Sequence, residues 1–160
     1  MTARPKISTC LWFNDNAEEA INFYLSVFPG GEILRSVRNG GHGPGPEGSM
    51  LAATIRIEGH EIDVINGGPH YALTPAVSLV VKCATQAEVD TLWDTLGNGG
   101  KHQQCGWLND RFGLCWQIVP TVLFDLLQSP DPAKAGRVMQ AMLQMTKFDI
   151  AALQRASEGR

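Results

Sequence analysis

Apolar residues recur at helical spacing in two separate stretches of the chain: Ala20, Phe23, Tyr24 and Val27 in one, Val89, Leu92, Trp93 and Leu96 in the other. A one-sided stripe of this kind predicts amphipathic helices over about Ala17–Phe28 and Gln86–Leu96. Each is preceded by a strand-like run, Lys6–Phe13 and Val77–Cys83. Polar residues mark the change from strand to helix, Asn14-Asp15-Asn16 in the first copy and Thr85, a predicted N-cap, in the second. Glycines close both helices, at Gly30-Gly31 and at Gly97-Asn98-Gly99-Gly100, where the left-handed backbone of a helix end suits them. One constant shift lays Glu19 on Glu88, Tyr24 on Trp93 and the paired glycines 30 and 31 on 99 and 100. The chain therefore reads as an internal repeat.

Further strands follow each helix. Gly31–Arg38, Ser49–Glu58 and His60–Asn66 supply three in the first half; Lys101–Leu108 and Leu114–Val119 supply the second half, with one strand short or frayed. Each half is then a βαβββ module, 1–75 and 76–120, in an α+β domain. The segment Gly40-Gly41-His42-Gly43-Pro44-Gly45-Pro46 is neither helix nor central strand, since glycine costs order and proline removes a donor. It reads as a mobile loop, either a connector or a lid over a pocket. Beyond Pro120 the pattern turns helical. Asp131-Pro132 predicts an N-cap with proline at the first helical position. Val138, Met139, Met142 and Met145 read as one packing face, and Asp149 as the cap of a last helix holding Ile150 and Leu153. Residues 121–160 form a helical tail within one compact domain.

Composition narrows the class. A chain of 160 residues with a net charge of −3 has no basic stripe for a phosphate backbone, so no nucleic-acid partner is expected. No run approaches the roughly 20 apolar residues of a spanning helix, and the polar start Met1–Lys6 is no signal peptide, so no membrane partner is expected. Cys10, Cys83, Cys105 and Cys115 form no CxxC pair. Structural zinc is not expected, and reduced thiols fit a cytoplasmic location.

The run from Gly106 to Pro120 carries the clearest signature. Asp110-Arg111-Phe112-Gly113 is an Asp-x-x-Gly turn feeding a strand whose fourth residue is Gln117. The turn resembles that of glyoxalase-like proteins, the vicinal oxygen chelate superfamily, where the position of Gln117 holds an acidic metal ligand. Four segments resemble the PhnB-like branch of that superfamily, whose domain carries the name 3-demethylubiquinone-9 3-methyltransferase. They are Leu11-Trp12-Phe13 with Ala17–Ala20 and Phe23-Tyr24; Asn66-Gly67-Gly68-Pro69-His70; Gln104-Cys105-Gly106-Trp107; and Met139–Met145.

The resemblance implies the glyoxalase/bleomycin resistance/dihydroxybiphenyl dioxygenase-like fold: paired βαβββ modules making a cupped trough, in a homodimer, with the tail packed on the sheets. It also implies a four-residue box in that trough. Counted from the helix starts and from Gly59 and Gly113, the box is Thr9, Asp63, Ser78 and Gln117. Two hydroxyls, an amide and one carboxylate are poor donors for a divalent ion. No cofactor is expected; Asp63 and Gln117 are the weak metal candidates, with His60 or His70 as added donors.

What remains is a polar trough with apolar walls, suited to a small-molecule ligand. By strand alternation and position, its candidate ligand-binding residues are Thr9, Leu11, Asp63, Asn66, His70, Ser78, Gln104, Trp107, Cys115 and Gln117, centred on Asp63 and Gln117. The candidate catalytic groups are His70, a proton carrier near neutrality, and Cys105, a nucleophile given a lowered pKa. Several also have a structural reading: Asn66-Gly67-Gly68-Pro69 as a turn, His70 as a loop residue, Gln117 as a paired buried amide, Cys115 as a small hydrophobe. Three functions stay open: a small-molecule-binding protein, including an enzyme that works without the usual metal; a methyltransferase acting on a ubiquinone precursor; and a protein that sequesters a ligand without turnover. Against the second, no glycine-rich turn follows a first parallel strand.

Overall fold

Both amphipathic stretches are helices in a computed structural model, which describes residues 5–160. The first, α1, spans Ala17–Val27, and the second, α2, spans Gln86–Gly97. The start of α2 is a capping box: Thr85 Oγ1 accepts from the Glu88 N–H at 3.2 Å, and the Glu88 carboxylate accepts from Thr85 N–H at 3.2 Å. The start of α1 is solved differently. Asn16 makes no side-chain cap bond, and Asn66 reaches over instead, accepting from Ala17 N–H at 2.9 Å while donating to the Met50 carbonyl at 3.0 Å.

Strands β1 (Thr9–Phe13), β2 (Glu32–Arg38), β3 (Met50–Ile57) and β4 (His60–Asn66) complete the first module. Their order is β1-β4-β3-β2, with β1 parallel to β4 and the other pairs antiparallel. In the second, β5 (Ser78–Cys83), β6 (Lys101–His102), β7 (Trp107–Asn109) and β8 (Cys115–Pro120) repeat the order as β5-β8-β7-β6, with β5 parallel to β8. Each helix lies on its own sheet, α1 on β3 and β4, α2 on β5, β7 and β8. Leu11, Ile55, Ile62 and Val64 are fully or nearly buried on the first sheet, as are Ala20, Ile21 and Tyr24 on α1. Full burial of such a side chain is worth about 1.5–3 kcal/mol, so these positions fix which face of each strand turns inward.

The chain divides into a unit ending at Leu73 and a unit running Thr74–Arg160. The tail belongs to the second: α3 (Thr121–Leu127), α4 (Pro132–Leu143) and α5 (Ile150–Glu158) surround Leu123, Val138, Phe148 and Leu153 together with Val119 of β8. Asp131 and Asp149 cap α4 and α5 as the sequence predicts, each accepting from a backbone N–H at 2.9 Å. The predicted methionine face is only partly packed. Met142 and Met145 lie against the tail core, whereas Met139 is 42% exposed, because α4 ends at Leu143 and turns a different face inward.

Three boundaries differ from the sequence reading. β1 begins at Thr9, after an Ile7 that is 87% exposed; residues 1–4 of the polar start lie outside the described residues. The run Lys101–Leu108 is two strands, because Cys105 and Gly106 both adopt positive φ, 56° and 76°. Their N–H groups donate to the tail carbonyls of Met145 and Thr146, each at 2.8 Å. A Cβ on Gly106 would stand 2.7 Å from the Ile118 carbonyl oxygen and 2.5 Å from the Phe148 ring, so only glycine fits there. Third, the segment after β2 has order of its own: buried Asn39 donates to Ser49 Oγ at 2.9 Å, and its backbone N–H and carbonyl pair with Ser49 and Gly48 at 2.8 Å. Among the described residues no helix is long and apolar enough to cross a membrane.

Candidate functional site

Because side chains alternate along a strand, the residues between the buried positions of the first sheet share its other face. The register aligns them in rows across the strands. Cys10 of β1 stands beside Asp63 of β4, Asp63 beside Thr54 of β3, and Thr54 beside Arg35 of β2. Asp63 Oδ1 accepts from the Thr54 hydroxyl at 2.5 Å, and Oδ2 accepts from the Ser8 hydroxyl at 2.5 Å. Arg35 Nε donates to Thr54 Oγ1 at 2.7 Å and Nη2 to Asp63 Oδ1 at 3.4 Å. The Ser8 hydroxyl, then that of Thr54, hold the Asp63 carboxyl below its ordinary range; partial burial opposes them and Arg35 adds to them. Asp63 is thus ionised at neutral pH. Burial, and secondarily that negative charge, push the Cys10 thiol up, which keeps it protonated.

The neighbouring row is apolar: Trp12, Ile65, Ala52 and Val37. Trp12 is fixed by its Nε1–H donating to the Gly68 carbonyl at 2.9 Å and by an edge-on contact with Tyr71 at 5.0 Å. Across the two rows runs a shallow, groove-like depression of about 200 Å³, widely open to solvent and mainly apolar, bordered by Arg35, Thr54 and Asp63 on one side and Val37, Ala52 and Ile65 on the other.

On the second sheet the equivalent face carries Val80, Gln117 and Trp107 in one row and Ser78, Cys115 and Asn109 in the next. Gln117 Nε2 donates to Ser78 Oγ at 2.9 Å. Cys115 is fully buried, and burial, with a further contribution from Asp110, raises its thiol pKa. The hairpin behind this face hangs on Asp110, which is 3% exposed and accepts from Phe112 N–H, Leu114 N–H and Trp116 Nε1–H at 2.9, 3.0 and 2.9 Å.

The expected set is brought together only in part. Ser78, Trp107, Cys115 and Gln117 share one face, and Asp63 holds the corresponding place on the first sheet. Thr9 does not join Asp63: it pairs with Ile62, on the opposite face, and its hydroxyl lies 3.4 Å from His60 Nε2. Leu11 is likewise turned into the core, at 2% exposure. The cause is a connection length. Three residues, Asn14-Asp15-Asn16, separate β1 from α1, and two, Ala84-Thr85, separate β5 from α2, so a count back from the helices slips by one on the first strand, and a one-residue slip exchanges the faces. The true counterpart of Ser78 is Ser8, which bonds Asp63 as Ser78 bonds Gln117. Asn66 is engaged in capping α1. His70 and Gln104 are exposed, and Cys105 directs its thiol to the Met142 carbonyl at 3.6 Å. Sequence reasoning missed Ser8, Cys10, Arg35 and Thr54. The polar Thr54 inside the apolar run Met50–Ile57 was the available signal for this row, but only the pairing register connects it to the others.

Comparison with known proteins agrees with this topology. The family described as 3-demethylubiquinone-9 3-methyltransferase matches residues 5–119. The PhnB protein of Bacillus cereus is 37% identical, with a TM-score of 0.68, over 73% of this chain and 100% of that one. Protein PA1353 of Pseudomonas aeruginosa is 22% identical over 72% of this chain and 97% of its own, with a TM-score of 0.60. The fosfomycin resistance protein FosX of Listeria monocytogenes, 16% identical over 72% and 91% with a TM-score of 0.50, shares the fold. No curated protein matches the chain. The segment Met139–Met145 lies beyond the matched residues, so the family likeness rests on the two modules and not on the tail. The βαβββ repeat, the Asp110–Gly113 hairpin and the match over residues 5–119 place this chain in the PhnB-like 3-demethylubiquinone-9 3-methyltransferase family of the vicinal oxygen chelate superfamily.

Proposed function

We propose that the chain binds a small molecule in the groove beside Asp63 and does so without a divalent ion. The observation behind this reading is the groove itself, with a hydrogen-bonded polar row on one wall and an apolar row on the other, the usual division of labour in a ligand site. Its size favours a ligand smaller than a drug-like molecule, for which pockets of about 300–1,000 Å³ are typical. The donor chemistry argues against a metal ion: Asp63 already accepts from two hydroxyls and a guanidinium, Gln117 is neutral, and Thr9 faces away. Among the described residues no three His, Cys, Asp or Glu side chains converge. Methyl transfer is the weaker reading, because neither Asn14-Asp15-Asn16 nor Ala84-Thr85 holds the glycines by which a β–α turn approaches a nucleotide-like cofactor.

The test is a small-molecule screen followed by amide chemical-shift mapping. Hits should move the amides of residues 35–37, 52–54 and 63–65; hits that move only the Gln117 face would relocate the site. Product analysis of each hit then separates an enzyme from a sequestering protein. A homodimer is part of the proposal, since β2 is an outer strand with Ile33 44% exposed on the face away from the groove and such edges are commonly covered by a second copy. Sedimentation at micromolar concentration should give twice the chain mass, and a clean monomer would refute it.

A further inference from the structure

Hydrogen-bonding capacity along the groove is unevenly engaged. Asp63 accepts from Ser8, Thr54 and Arg35, so three of its roughly four acceptor positions are taken. Thr54 donates to Asp63 and accepts from Arg35, and is only 4% exposed. Arg35 is different: of the five N–H donors of a guanidinium, two are engaged, one through Nε and one through Nη2. Its side chain is 58% exposed and lines the groove. The bonds to Thr54 and Asp63 fix one edge of the planar fork and leave the remaining donors for a ligand. The charges of the adjoining row are matched among themselves, Arg56 reaching Glu32 and Glu61 at 2.8 Å each.

We propose that Arg35 selects the ligand: a small amphipathic carboxylate whose oxygens accept from the free donors of Arg35 while its apolar chain lies on Val37, Ala52 and Ile65. A fork held on one side by Thr54 and Asp63 loses little freedom on binding, and charge-assisted bonds to a carboxylate are about twice as strong as neutral ones. A ligand offering a hydroxyl in place of the carboxylate forfeits that gain, and one without an apolar chain leaves the Val37 wall uncovered.

This inference rests on the groove being the ligand site, and the experiment separates the two. Hexanoate and hexan-1-ol are titrated at neutral pH against the 160-residue chain while the amides of residues 35–37, 52–54 and 63–65 are followed. Hexanoate should shift them at least tenfold more tightly than hexan-1-ol. Arg35→Gln should weaken hexanoate at least tenfold and abolish the discrimination, Arg35→Lys should restore part of it, and Arg56→Gln should leave it unchanged. Unaltered spectra of each variant outside the groove establish that it is folded. Equal affinity for the two probes, an unaffected Arg35→Gln, or the same loss in Arg56→Gln would overturn the role of Arg35. If uncharged screening hits occupy the groove and carboxylates do not, this inference alone fails. If no compound of any kind shifts the groove, the site reading fails with it.

Discussion

The same place in the two modules is occupied by opposite chemistries. On the first sheet an ionised Asp63 collects Ser8, Thr54 and Arg35; on the second a neutral Gln117 meets one hydroxyl, Ser78. The hairpins leading into these strands differ too. Glu58 and Gly59, both at positive φ, make a two-residue turn in the first module, a twist that suits a tight hairpin. The second needs Asp110 to tie down Phe112, Leu114 and Trp116. Equal topology therefore does not mean equal energetics: the first module's hydrogen-bonded aspartate sits in the face, the second's in the turn.

Removing the turn carboxylate should have the largest effect. Asp110→Ala removes the acceptor of two buried donors and one half-buried donor, and each buried donor costs about 1–3 kcal/mol. We expect a loss of about 3 kcal/mol or more in urea unfolding; a loss below about 1 kcal/mol would show that Asp110 does not hold the hairpin. Asp63→Asn should cost less, about 1–2 kcal/mol at neutral pH, since the site is partly open and the amide keeps one acceptor. This difference should depend on pH. The folded carboxyl lies below its unfolded value of about 3.9, so its contribution is complete above that value and falls as acid carries the pH down through the folded value. A wild-type-minus-variant difference that does not shrink below pH 4 would contradict the hydrogen-bonded carboxylate. Gln117→Leu should be smallest, within about 1 kcal/mol, and flat with pH between 3 and 7, because one neutral hydrogen bond is exchanged for apolar packing. A cost comparable to that of Asp63→Asn would erase the contrast between the two faces.

Local chemistry made much of this legible in the sequence. The stripes Ala20–Tyr24 and Val89–Leu96, the Thr85 cap, the Asp131 and Asp149 caps and the strand His60–Asn66 follow from periodicity and capping alone. Pairing register was not legible. The extra residue in Asn14-Asp15-Asn16 turned Thr9 away from Asp63 and brought Ser8 and Cys10 toward it, and no property of those residues taken singly announces the change. Nor did the run Lys101–Leu108 reveal that it would break, since the groups that break it, the carbonyls of Met145 and Thr146, lie in the tail. Arg35 was invisible for the same reason: its partners Thr54 and Asp63 sit on two other strands.

The grip of the tail on Cys105 and Gly106 sets an order of events during synthesis. All the pairing of the first sheet lies within the residues up to Asn66, so that sheet can close as soon as they leave the ribosome. The turn between β6 and β7 must wait until Met145, Thr146 and Phe148 have been made. A translating chain therefore passes through an interval in which every pairing partner of the first sheet is present and those of the turn before Trp107 are not. In that interval the apolar residues that α4 and α5 will cover, Val119 and Leu123 among them, are the part of the nascent protein a chaperone would meet.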